Sequence, residues 1–103
     1  ISKAIKIRPN IAVYHRNIGA TYYSLKQYEL AIEHHKIAIE LEPTHSNNYH
    51  NLGSAYYRSQ QFEKAINEFD KAIERNPKQA LSFSWKGDCL KSIDRNEEAL
   101  QSY

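Results

Sequence analysis

The chain repeats itself every 34 residues, and that period constrains its fold more than any other feature. Pro9, Pro43 and Pro77 keep the step, as do Gly19, Gly53 and Gly87, and these are the only prolines and glycines present. Ala4, Ala38 and Ala72 follow it, as do Ala31, Ala65 and Ala99. Four independent series at one period point to a structural unit stacked on copies of itself.

Each unit reads as two helices. Between Ser46 and Ser59 the residues Tyr49, Leu52, Tyr56 and Tyr57 recur at helical spacing. After Gln60 and Gln61 a second series runs through Phe62, Ala65, Ile66, Phe69, Ala72 and Ile73. Pro77 closes it, because a proline ring cannot continue a helix and pushes its predecessor out of the α region. Gly53 gives up about 1 kcal/mol of helix propensity, which implies close approach by a neighbouring helix. The pattern predicts an all-α chain with helices near 12–25, 28–41, 46–59, 62–75 and 80–92, plus a partial helix at each end.

Composition narrows the function. A formal charge of +2, from 14 basic and 12 acidic residues, lacks the clustered excess of a nucleic-acid binder. Cys89 is the single cysteine, so neither an internal disulfide nor a cysteine zinc site can form, and a reducing, cytoplasmic setting is expected. No run approaches the ~20 apolar residues that span a bilayer. His34 and His35 point about 100° apart on a helix and cannot easily share a metal. His45 and His50 are also poorly spaced for one. Neither a catalytic constellation nor a glycine-rich phosphate loop is present, so no enzyme activity, cofactor or metal is expected.

Tyr49, Leu52, Gly53 and Tyr56, followed by Ala65, Phe69, Ala72 and Pro77, resemble the tetratricopeptide signature, whose first position is usually Trp. The first unit supplies His15, Ile18, Gly19, Tyr22, Ala31, His35, Ala38 and Pro43; the third supplies Phe83, Lys86, Gly87, Leu90, Ala99 and Tyr103. Lys86 and His35 depart from the usual leucine and large aromatic. The resemblance covers the whole chain and implies a right-handed superhelical solenoid of antiparallel helix pairs. In that register 1–11 is the tail of a preceding repeat, 12–45 and 46–79 are complete repeats, and 80–103 is truncated inside a second helix. No polar end cap is visible, so an interior segment of a longer array is expected.

The resemblance also implies a protein-interaction scaffold whose first helices line a concave groove for an extended peptide. A stripe beside the packing face then carries Arg16, Asn17 and Tyr23 in the first repeat. Asn47, His50, Asn51, Tyr57 and Arg58 occupy it in the second, and Trp85 and Lys91 in the third. Asn17 and Asn51 are equivalent, and an amide satisfies a peptide N–H and C=O together. The pair resembles the asparagine ladder of O-linked N-acetylglucosamine transferase repeats, with Trp85 breaking the series. Tyr23, Tyr57 and Trp85 are amphipathic residues of the kind that anchor interfaces. Arg16, Arg58 and Lys91 against Asp88 favour a mildly acidic partner.

Two other roles stay open: a substrate-recognition arm of a larger enzyme, and a co-chaperone module. The co-chaperone carboxylate clamp of Lys, Asn, Asn, Lys and Arg maps onto Arg16, Ala20, Asn51, Leu81 and Trp85, which lacks the cationic pair of the third repeat. His35 is expected in the core, neutral through burial, and Cys89 as a buried, unreactive thiol. Apolar residues in the two end segments, Ile1, Ala4, Ile5 and Ile7 against Ala99, Leu100 and Tyr103, suggest end-to-end self-association between copies.

Overall fold

In the computed structural model the backbone is described for residues 2–102 and the side chains for residues 11–97. Five helices follow in order: α1 (Ser2–Ser24), α2 (Tyr28–Leu41), α3 (Ser46–Arg58), α4 (Phe62–Arg75) and α5 (Ala80–Ser102), with no strand among the described residues. Each helix packs on the next. α1 touches α3 and α3 touches α5, whereas α2 and α4 do not meet. The odd-numbered helices therefore form the inner, concave surface. The molecule is elongated, 62 × 29 × 17 Å along its principal axes.

One apolar cluster threads four helices: Ala31 and Ile32 of α2, Leu52, Ala55 and Tyr56 of α3, Ala65 and Phe69 of α4, and Cys89 of α5. Two glycines earn their place here. A Cβ on Gly19 would stand 2.7 Å from the His35 ring, and one on Gly53 would stand 2.7 Å from the Phe69 ring. Among the described residues, nothing lies within 4 Å of that position at Gly87.

Turn chemistry repeats as well. Lys26 (φ 63°) and Gln60 (φ 67°) are left-handed. Gln27 N–H donates to Tyr22 O and Lys26 N–H to Tyr23 O, with the same pair of bonds at Gln61 and Gln60. This is the Schellman arrangement, which satisfies carbonyls left over at a helix C-terminus. Across each such turn an aromatic pair closes edge to face, Tyr23 on Tyr28 and Tyr57 on Phe62.

Two expectations are corrected. α5 runs on through Asp94, the counterpart of Lys26 and Gln60, instead of stopping near 92. The aromatic pair is the missing part, because its counterparts are Lys91 and Asn96. At the other end α1 passes through Pro9 unbroken, so the partial helix expected at residues 1–10 is not separate. Pro43 and Pro77 do end helices, after Leu41 and Arg75. The Pro43 turn is fastened by Tyr49 Oη donating to Pro43 O and Asn48 Nδ2 to Glu42 O. The Pro77 turn is fastened by Lys78 N–H donating to Asn76 Oδ1 and Gln79 Nε2 to Asn47 Oδ1. The matching residues around Pro9 are Arg8, Ile11, Val13, Tyr14 and His15, and His15 is paired with His34 instead.

Candidate functional site

All ten residues assigned to the groove lie on α1, α3 and α5, the helices of the inner surface. A cavity of about 280 Å³ opens between α1 and α3, with Tyr23, His50, Asn51 and Trp85 in its wall. Ala20, Ser24, Ser54 and His35 complete the lining. The first three belong to the same helical stripes as Asn17 and Asn51. His35 comes from α2 and forms the floor. It is 2% exposed, so the expected core position holds, but its Nδ1 has no hydrogen-bond partner. The signal in the sequence was its repeat counterpart, Phe69: a polar ring stands where the next unit needs none.

Burial lowers the pKa of His35 to about 4, with neighbouring His34 and Arg16 adding to the effect, and burial also lowers His50. Both imidazoles are neutral near pH 7. Cys89 is fully buried, and burial followed by Asp88 pushes its thiol up to about 11, as expected of an unreactive packing cysteine.

Two of the assigned residues fasten successive units together, and a third fastens its own unit. Arg16 Nη1 donates to Glu42 Oε1 at 2.9 Å and to Asn48 Oδ1 at 3.2 Å. His50 Nδ1 lies 2.9 Å from Ser82 Oγ, one repeat further along. Asn47 accepts from Gln79 at 3.0 Å. The corresponding partner positions, Asn48 and Ser82, are fully buried, and sequence reading passed over both.

A second group forms the rim. Arg58 Nε donates to Tyr23 Oη at 3.0 Å, and its guanidinium lies 5.4 Å from the Trp85 ring centre and 5.8 Å from that of Tyr57. Trp85 meets Tyr57 and His50 edge to face. This Arg58 cluster spans all three inner helices. Asn17 and Lys91 are exposed and stand outside the cavity lining. Asn51, half-buried, is therefore the rung of the expected ladder that reaches the cavity.

Residues 10–78 match a family model described as tetratricopeptide repeat, and residues 68–101 match a second model with the same description. Among solved structures, the Arabidopsis OM64 TPR domain superposes with a TM-score of 0.82 at 23% identity, covering 89% of this chain and 76% of that one. The first TPR of Spaghetti (RPAP3) bound to an HSP90 peptide gives 0.79 at 20% identity, covering 84% and 68%. The TPR2B domain of yeast Sti1, in its complex with pHsp70, gives 0.79 at 23%, covering 87% and 72%. Likenesses at this identity establish the fold. No curated protein matches.

Proposed function

Because the chain belongs to the tetratricopeptide-repeat family, we propose that it is an interaction module holding an extended partner segment against α1, α3 and α5. The observation that carries this reading is the cavity bounded by Tyr23, His50, Asn51 and Trp85 on the inner surface. It places aromatic surface beside a peptide-compatible amide, the combination that recognises a chain with little regard to its sequence. The complexes of the Spaghetti domain with an HSP90 peptide and of the Sti1 domain with pHsp70 support the general role. Exposed Arg58 and Lys91 against Asp88 favour a mildly acidic segment. In this reading 12–45 and 46–79 act as repeats, and the chain positions a partner without doing chemistry itself. That holds for a free-standing cytoplasmic scaffold and for the recognition arm of a larger enzyme. Among the described residues no helix is long and apolar enough to cross a membrane.

Selection from a randomised peptide library, followed by NMR mapping of the winners, tests the reading. Acidic-leaning peptides shifting amides of α1, α3 and α5 are expected; binders confined to α2 and α4 would reject it. Replacing Asn17 and Asn51 by Ala should weaken the selected peptides several-fold while leaving the helical content unchanged.

The outer surface of α5 supports a second association. Phe83 and Leu90, on one face of the helix, are 52% and 49% exposed, and end-to-end stacking of copies would cover them.

A further inference from the structure

We propose that the cavity between α1 and α3 is a recognition pocket for one tyrosine side chain of the bound partner, an inference that rests on the groove reading above. Its volume, about 280 Å³, lies just under the ~300–1,000 Å³ of sites for drug-sized ligands, which suits a single side chain. Trp85, Tyr23 and His50 present aromatic surface to it, and Ala20 keeps one wall low.

The polar groups select the tip. Three already have partners: His50 is bonded to Ser82, Ser54 Oγ donates to His50 O at 3.0 Å, and Tyr23 accepts from Arg58. Asn51 and Ser24 stand at the wall with no side-chain bond of their own among the described residues, and His35 is the most deeply buried of the unpaired groups, at the floor with an unsatisfied ring nitrogen. Among the described residues no carboxylate lines the cavity, so an ammonium or guanidinium tip would be desolvated without an ion-pair partner. No lysine or arginine lines it either, and both imidazoles are neutral, so a carboxylate tip fares no better. A purely apolar tip leaves His35 unsatisfied. A phenol hydroxyl both donates and accepts, so it satisfies either tautomer of a neutral imidazole. The pocket requires the ring edge that carries a nitrogen to face the cavity, and the assignment of the ring's two edges leaves that orientation open.

The test compares p-cresol with toluene, which share a ring and differ in the hydroxyl. Binding is read from Trp85, the only tryptophan, by fluorescence and from backbone amide shifts by NMR. The control variant is His35→Phe, which installs what the next repeat carries as Phe69 over Gly53 at the same 2.7 Å approach. p-Cresol is expected to bind on the order of two- to tenfold tighter than toluene, the worth of one neutral hydrogen bond. Its shifts should centre on Ala20, Ser24, Asn51 and Ser54, and the preference should vanish in His35→Phe while toluene binding persists. Equal affinities in the parent, a preference that survives in the variant, shifts centred elsewhere, or no p-cresol binding each overturn the pocket. Library peptides that lack tyrosine yet map to the groove would sink the pocket alone and leave the groove reading standing.

Discussion

His35 shows how one substitution inside a repeat changes what a unit can do. Its ring fills the space above Gly19 as Phe69 fills that above Gly53, yet it brings nitrogen atoms into the core. The cost appears on titration. The pKa falls from 6.5 to about 4 in the fold, mainly through burial. Between those values the unfolded chain binds more protons than the native one, so stability rises with pH. Acidification from pH 6.5 towards 4 therefore removes stability, and below about 4 the loss levels off. At about 1.4 kcal/mol per pH unit the full effect is about 3 kcal/mol. His50, lowered by burial, acts in the same direction. Urea unfolding at a series of pH values should show the decline, and His35→Phe should flatten most of it. An unchanged slope in the variant would mean that His35 is not the titrating group. At this scale the sequence revealed position but not satisfaction. Helical spacing places His35 inside, whereas only atomic neighbours show that Nδ1 lacks a partner, that Arg16 and His50 are engaged between repeats and that Asn47 is engaged within its own.

At the scale of the helix, equivalent positions are not energetically equivalent. Gly53 and Gly87 both sit inside helices, and alanine would improve helix propensity at either by about 1 kcal/mol. At Gly87 the added methyl meets open space, so Gly87→Ala should stabilise the chain by up to about that amount. At Gly53 it meets the buried Phe69 ring at 2.7 Å, and overpacking costs about 1–3 kcal/mol. Gly53→Ala should destabilise. Chemical denaturation of the two variants side by side decides it, and the same sign for both would contradict the packing described here. The central helices were legible because periodicity, Schellman turns and proline stops agree there. α2 and α4 have the bounds that spacing predicts, Tyr28–Leu41 and Phe62–Arg75. α1 and α5 were not, because a proline or turn position acts only when its fastening residues are present. Tyr14 and His15 stand where Asn48 and Tyr49 hold the Pro43 turn, and Lys91 and Asn96 stand where two aromatic pairs hold the others.

At the scale of the molecule, stability is carried from neighbour to neighbour, because each helix meets mainly those beside it. The inner units satisfy one another: Tyr49 and Tyr56 of α3 are buried, and Phe69 of α4 fills the space above Gly53. Their counterparts on α5, Phe83 and Leu90, are exposed beside the open ground at Gly87. A helix resembling α4 laid along this face would bury both. A second copy can cover it through a heterologous contact that does not need to close. The residues of the two end segments that first suggested the association, Ile1, Ala4, Ile5 and Ile7 with Ala99, Leu100 and Tyr103, lie outside the described side chains. The expectation now stands on α5 itself. Burying an apolar side chain contributes about 1.5–3 kcal/mol, and two of them must offset the several kcal/mol lost when a molecule gives up its free motion. Association should therefore be weak and visible only at high concentration. Light scattering across a concentration series should show the apparent mass rising, and Phe83→Asp with Leu90→Asp should hold it at 12.0 kDa. A mass that stays at the monomer value throughout the parent series, or a rise unaffected by the two substitutions, would exclude this face as the contact.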